Sequence, residues 1–414
     1  MSFFKSILIF IFAFVFLSSK AFCQELVVWE DTDKGIGLKR AAEDFTSLTG
    51  VKVKIIEFRY IYALERLRLD GPAGTGPDLF LLPSDLLGSA VAQGMISPVY
   101  YTPKERSIYL NKALEAASYR YGNYMVPKCI ETVAVFYNKK FLPKPLKTLQ
   151  AYFDFSVESR KLDQYGLLAK FDDLYYAYPV LKPYGAYIFA KTGVPKGGNE
   201  FYYDTSDIGL NNKGAVEAIK LLKTFYDEDL FPSGIEGRGA LNSVKDLFIK
   251  QKACAAILGT WDLADVLKSN LKVGITTLPF LPNGFKMRPF LGIRGYVISR
   301  WTNKYELALK FAKFATQDKY AEDRFNITYE LPATTEALNE DAIRNNEYAK
   351  AFIVESHNAQ LMPSDPATRE VWIPYAEKLH EIYSGHVPVT LGLNEAVEEI
   401  KKNIEKQTSA PRLD

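Results

Sequence analysis

ELVVWEDTDKGIGLKRAAEDFTSLTG, residues 25–50, holds the reading that decides the fold. Glu25 to Glu30 has an apolar centre of strand length, the pattern of a buried β-strand. Asp31-Thr32-Asp33-Lys34-Gly35 follows as a turn. Leu38, Ala41, Ala42 and Phe45 then fall on one face at the i, i+3, i+4, i+7 spacing of an amphipathic helix, and Gly50 can close that helix in a left-handed conformation. The next segments repeat the scheme. Val51 to Phe58 alternates as a strand. A short helix carries Tyr62, Leu64 and Leu67, residues 71–77 form a Gly/Pro loop, and Asp78 to Leu82 is a further buried strand. Ser84 is positioned to cap a helix that ends at Gly94. Strands alternating with helices predict an α/β fold with a parallel sheet and right-handed crossovers.

The same grammar returns later. Ala215, Ile219, Leu222 and Tyr226 mark an amphipathic helix. Ala253 to Leu258 (ACAAIL) is a buried strand, followed by Gly259-Thr260-Trp261 and a helix through Val266. Val273 to Leu278 and Gly295 to Ser299 read as strands. Leu307, Phe311 and Phe314 share a helix face, and the C-terminal end is helical around Val371 to Tyr383 and Leu393 to Ile404. Residues 124–142 (YMVPKCIETVAVFYNKKFL) run strand to strand with no Gly/Ser spacer, so two α/β lobes are joined by structured crossings and not by a flexible tether.

Upstream of this body, Lys5, an apolar run from Ile7 to Leu17, and Ser18-Ser19-Lys20 ending in Ala21-Phe22-Cys23 have the layout of a secretory leader. The run is about half of the roughly 20 residues a membrane-spanning helix needs. Export to the periplasm with cleavage near residue 23 is the expectation, and lipid anchoring at Cys23 is its alternative. Phe22 speaks against lipidation, because the lipoprotein peptidase prefers a small residue there. Loss of the leader removes Lys5 and Lys20 and no acid, so 51 basic residues become 49 against 49 acids. A neutral chain lacks the counterion-release drive towards nucleic acid and a basic patch for anionic membrane. Cys129 and Cys254 lie in apolar runs and are expected as unpaired core thiols. His357, His380 and His386 show no metal-ligand spacing, and neither a metal nor another cofactor is expected.

Ligands of open α/β sheets bind beyond the carboxyl ends of the strands. Asp33 and Lys34 follow the first strand, Asp85 the strand ending at Leu82, and Trp261 the strand ending at Leu258. Glu131 is a lone carboxylate in the crossing, costly there unless paired. Tyr175, Tyr176 and Tyr178 cluster after Asp172-Asp173, and Trp372 stands near the start of a late helix. Each alone has a plainer reading: first-turn acids for Asp33 and Asp85, a structural hydrogen bond at the lobe junction for Glu131, packing for the rings. Together they suit a sugar. Carboxylates and a lysine bond hydroxyls with charge-assisted strength, and flat rings cover the C–H face of a pyranose. No Gly-rich phosphate loop is present.

In the order LVVWEDTDKG, GTGPDLFLLPSDLLG, ETVAVFYNKKFLPKP, ILGTWDLADV, MRPFLGI and HNAQLMPSDPATREVW, the chain resembles the bacterial extracellular solute-binding proteins of carbohydrate ABC importers, the maltose/maltodextrin-binding group most of all. The resemblance implies a type II periplasmic-binding-protein architecture, with two α/β lobes that hinge over sugar held in a cleft. It implies a leader at 1–23, an N-terminal lobe of 24–130 and 293–342, and a C-terminal lobe of 131–292 and 343–414. It implies that Asp33, Lys34, Asp85 and Glu131 bond sugar hydroxyls and that Tyr175, Trp261 and Trp372 stack on the rings. It adds Asp173 to the sugar-binding set, at a position where the family has a glutamate, one methylene longer. Leu82 replaces a tryptophan, Leu86 and Ala376 replace arginines, and Ile373 replaces a tyrosine, so the sugar is maltose or maltodextrin or another di- or oligosaccharide. The implied partners are membrane permease subunits of an ABC importer, served by a monomeric, non-catalytic receptor. Two other classes compete. A secreted glycoside hydrolase would need two carboxylates flanking one bond. A carrier of polyamines or metal complexes would keep the fold, but the scarcity of histidine and the wealth of rings argue against it.

Overall fold

In the computed structural model residues 25–120, 122–193, 202–237, 240 and 242–409 are described. The candidate leader, residues 1–23, lies outside them. The main strands are β1 (Glu25–Glu30), β2 (Lys52–Glu57), β3 (Leu79–Pro83), β4 (Val126–Glu131), β5 (Val133–Asn138), β6 (Tyr165–Leu168), β7 (Ala253–Gly259), β8 (Val273–Thr276) and β9 (Phe290–Ser299). They build two sheets. The larger runs Leu331–Pro332, β4, β9, β3, β1, β2, with Ile96–Ser97 and Gln360–Leu361 paired to β9; the smaller runs β8, β5, β7, β6.

The first unit follows its sequence. β1 pairs in parallel with β2 and β3. The helix Lys39–Thr49 buries Ala41, Ala42 and Phe45, and Gly50 ends it at φ 72°. Phe45 meets Phe311 edge-on at 5.1 Å, which fastens this helix to the helix Tyr305–Ala315 over one sheet face. Burial of each such ring contributes roughly 1.5–3 kcal/mol.

Two expectations need correction. The larger sheet is mixed: β9 runs antiparallel to β3 and β4. The strand begins at Phe290, five residues before Gly295, because every side chain from Phe290 to Ser299 is buried and alternation is lost. Ser84 is not a helix cap. It opens a short 3-10 turn, Ser84–Leu86, whose cap position is Pro83 and which carries no side-chain cap bond; the helix Leu87–Ala92 then starts behind it and stops before Gly94. The turn leaves Ser84 inside the helical path and sets Asp85 just beyond the carboxyl end of β3.

The sheets are joined at close range. β4 belongs to the larger sheet and β5 to the smaller, with Thr132 alone between them. Residues 277–289 return the chain from β8 to β9. The helix Ala349–Asn358 packs beside β5 and β8, and Gln360–Leu361 then pairs with β9. One continuous set of buried residues, including Ile130, Val133, Val135, Phe290 and Ile293, runs through this seam. Cys129 and Cys254 are buried free thiols.

Candidate sugar-binding cleft

On the larger sheet, polar groups gather where β1, β3 and β4 end. Because β9 is antiparallel, its middle residue Arg294 lies level with those ends, opposite Pro83 on one side and Cys129 on the other. Its Nη1 contacts Asp31 Oδ2 at 2.6 Å and its Nε contacts Glu131 Oε1 at 2.8 Å. The Tyr60 ring covers the guanidinium, 4.3 Å from ring centre to Cζ. Asp31 is further held by the Thr32 amide at 3.0 Å and the Tyr60 amide at 3.2 Å on Oδ1. Burial pushes Glu131 up, and Arg294 opposes that rise. Burial also pushes Asp85 up to about 6, against a pull from its own backbone amide and from Arg294. These half-buried carboxyl groups lie together around Arg294, where a low local dielectric strengthens any hydrogen bond they accept.

Beneath them lies a buried ion network. Lys128 Nζ bonds Glu30 Oε2 at 3.1 Å and Glu330 Oε1 at 3.0 Å. The Tyr296 hydroxyl donates to Glu30 at 2.7 Å, and Arg324 Nη2 donates to the Lys128 carbonyl at 3.1 Å. Glu30 Oε1 in turn accepts from the Asp31 amide at 2.9 Å, so the network supports the turn that meets Arg294.

On the smaller sheet the parallel neighbours β6 and β7 end towards the same region. After β7, the Gly259 amide donates to Asp262 Oδ2 at 3.0 Å, which closes a short turn and sets Trp261 above the strand end. A Cβ at Gly259 would lie 2.2 Å from the Trp261 ring, so this turn requires glycine. After β6, Asp173 accepts from the Tyr175 amide at 2.8 Å and caps the helix Leu174–Leu181. That cap aims Tyr175 at Trp261, with ring centres 5.7 Å apart, and at Phe290, also 5.7 Å. Phe290 meets Trp372 edge-on at 6.0 Å.

The two walls meet at Tyr175. Burial first, then Glu131 and Asp85, hold its hydroxyl well above the usual phenol range, which places it within electrostatic reach of both carboxylates. Tyr175 is thus coupled electrostatically to Asp85 and Glu131 and by ring contact to Trp261 and, through Phe290, to Trp372. Asp33 sits at its edge, exposed and at φ 62°, two residues beyond Asp31. Lys34 is half-buried, with its amine 3.4 Å from the Thr328 carbonyl. Asp173 serves as a helix cap. Tyr178 is core: it stacks on Phe290 at 4.1 Å. Leu82 is fully buried, while Ile373 is exposed beside Trp372.

Arg294, Asp31, Tyr60 and Phe290 were not legible as site residues. A signal existed for Arg294. A lone arginine within FLGIRGYVIS, a strand with no other charge, demands an acid partner by the same reasoning that singled out Glu131. Tyr60 offered none.

Fold and cleft define a two-lobed α/β binding protein with acids and a guanidinium on one wall and aromatic rings on the other. Comparison with known proteins agrees. The chain belongs to the bacterial extracellular solute-binding protein family, whose pattern matches residues 40–351. A galactooligosaccharide-binding protein of Bacillus subtilis (strain 168) is 37% identical over 387 residues, 93% of this chain and 90% of its own. A maltodextrin-binding protein of the same organism is 34% identical, covering 88% of this chain and 86% of its own. A maltooligosaccharide ABC transporter solute-binding lipoprotein of Streptococcus pneumoniae (strain ATCC BAA-255 / R6) is 29% identical over 93% of this chain and 90% of its own. The solved structure of a cyclo/maltodextrin-binding protein complexed with maltotetraose superposes with a TM-score of 0.82 at 30% identity, covering 92% of this chain and 97% of that one.

Proposed function

We propose that this protein is a non-catalytic receptor that holds a maltose- or maltodextrin-like oligosaccharide in the cleft between its lobes and delivers it to an ABC importer. The observation that supports this reading is the ring contact of Tyr175 with Trp261 at 5.7 Å, with the Tyr175 hydroxyl feeling the charges of Glu131 and Asp85. Acceptors for hydroxyls beside flat apolar faces match a pyranose. Asp33, Lys34, Asp85 and Glu131 bond hydroxyls in this reading, and Tyr175, Trp261 and Trp372 stack. Asp173 acts through its cap on the Tyr175 helix. The lobes comprise 24–130 with 293–342 and 131–292 with 343–414. The chain works outside the cytoplasm after export on residues 1–23, as a monomer, with permease subunits as its membrane partners.

A galactosyl oligosaccharide is the second reading. It is supported by the 37% identical galactooligosaccharide-binding relative and by the loss of stacking surface at Leu82 and Ile373.

Calorimetric titration with malto- and galacto-oligosaccharides, alongside a polyamine, tests both. The expected result is saturable binding of one sugar series with no release of shorter reducing sugars. Hydrolysis of maltotriose at enzymatic turnover would overturn the receptor reading, and binding of amines alone would overturn the cargo.

A further inference from the structure

Arg294 is the one basic side chain along β9 from Phe290 to Ser299, and it is buried. It is held on three sides: Asp31 at 2.6 Å, Glu131 at 2.8 Å and the Tyr60 ring at 4.3 Å. Asp31 spends both oxygens inside the protein, on Arg294 and on two amides of its own turn and the next. Glu131 differs. Its Oε1 faces Arg294, while Oε2 lies 3.7 Å from the position a Cβ on Gly292 would take, over a residue with no side chain. Gly292 stands opposite Glu131 in the pairing of β9 with β4. Glycine here leaves one face of the carboxylate open.

We propose that Arg294 is the positioning residue of the cleft: anchored by Asp31 and stacked by Tyr60, it fixes the Glu131 carboxylate so that Oε2 accepts a ligand hydroxyl. The inference rests on the reading of the cleft as an oligosaccharide site. The charge balance explains why an arginine is needed. Glu131 is surrounded by other acids: Asp31 after β1, Asp85 after β3 and Glu330 before Leu331. The Tyr60 hydroxyl and, from the opposite lobe, the Tyr175 hydroxyl also face it. On its own strand lie Cys129 and Lys128, and Lys128 is committed to Glu30 and Glu330. The Arg324 guanidinium and the Lys34 amine act on Glu330, one step removed. Among the described residues Arg294 is thus the cation in direct contact with Glu131. Burial raises Glu131 and Arg294 opposes that rise, so the guanidinium favours the ionised form, the one that accepts.

Three substitutions test this on the full-length protein: R294Q, R294K and D31N. The Glu131 carboxyl is followed by 13C NMR in sugar-free protein, assigned with E131Q, and oligosaccharide affinity is measured by calorimetry from pH 5 to 9. R294Q is expected to raise the Glu131 titration midpoint by about one unit or more and to weaken binding about 10- to 100-fold at pH 7, with the loss growing as pH falls. R294K keeps the charge and is expected to retain a near-native midpoint and a smaller loss of affinity. D31N leaves the Arg294–Glu131 contact and takes away a neighbouring negative charge that raises Glu131, so its midpoint is expected to fall or stay and not to rise. An unmoved Glu131 midpoint in folded R294Q would overturn the proposal. If R294Q does not fold, R294K decides: binding abolished with a native midpoint would mark Arg294 as a packing residue and overturn it equally. Failure of the wild-type protein to bind any sugar would sink the functional reading instead, since the sugar-free titration judges Arg294 without a ligand.

Discussion

Thr132 Oγ1 donates to the Phe290 carbonyl at 2.8 Å. Thr132 is the single residue between β4 and β5, and Phe290 is the first residue of β9, so this bond ties one lobe crossing to another. The Thr132 carbonyl also accepts from the Thr260 amide at 3.1 Å, one residue before Trp261. The seam and the aromatic wall therefore share an anchor. Any rotation of one sheet against the other has to turn about these bonds or break them.

Substitution T132V keeps the shape and deletes the donor. The Phe290 carbonyl then loses its partner in a buried seam, a change that costs roughly 1–3 kcal/mol. Urea unfolding should show this loss, with T132S recovering most of it. If T132V matched the wild-type protein in stability, the bond would not be a structural anchor.

Trp261 and Gly259 make a matched pair. W261A should weaken oligosaccharide binding by ~0.5–1.5 kcal/mol, the scale of a lost aromatic contact, while the sugar-free melting temperature changes little because Trp261 is only half-buried. G259A adds one methyl that would sit 2.2 Å from the indole, so the ring must move. Its expected effect on affinity resembles that of W261A although the tryptophan remains. Titration of both variants with the same sugar checks this, and native affinity in G259A would show that the ring's position is not what the ligand reads.

Asp85 sets a pH dependence of definite sign. Burial pushes it up to about 6, against about 3.9 in an unfolded chain. Between those values the folded state holds a proton that the unfolded state has released. This group's contribution to stability is therefore full below about pH 4 and is lost as pH rises through 6. At about 1.4 kcal/mol per unit, D85N should be more stable than the wild-type protein at pH 7.5 by roughly 1–3 kcal/mol, and the advantage should shrink by pH 5. The same variant should bind sugar more weakly, since an ionised acceptor is gone. Chemical denaturation at the two pH values, paired with calorimetry, measures both, and an equal stability difference at the two pH values would contradict the assignment.

What could be read in advance follows from where each signal lives. β1, the helix Lys39–Thr49 and its Gly50 cap are written in local spacing, and they form as read. Glu131 was legible because a carboxylate in an apolar run is conspicuous. The direction of β9 was not legible, since a fully buried strand carries no alternation and pairing direction is decided by residues far away in sequence. That direction brings Arg294 level with Asp31 and Glu131, so missing it hid the cluster. Ser84 failed for a local reason: a 3-10 turn placed the cap one residue earlier, at Pro83, which has no side-chain acceptor.

The buried network under the cleft should behave as a unit. Burial pushes Glu330 up, yet Lys128, then Arg324 and Lys34, outweigh it and bring Glu330 down to about 2. An ordinary glutamate titrates near 4.3. Glu330 therefore stabilises the fold above that value and withdraws its share as pH falls towards 2. K128M would remove the cation that bridges Glu30 and Glu330, leaving Arg324 beside Glu330 alone, and breaking a buried pair in this way costs about 3–5 kcal/mol. Replacing all three as E30Q/K128M/E330Q removes both acids together with the lysine, leaves Arg324 on the carbonyls of residues 315 and 128, and should recover part of that loss. Denaturation midpoints of the single and triple variants decide it. A triple variant no more stable than K128M would mean that packing around the lysine stem, and not charge compensation, holds β4 against the ends of β1 and the Leu331–Pro332 strand.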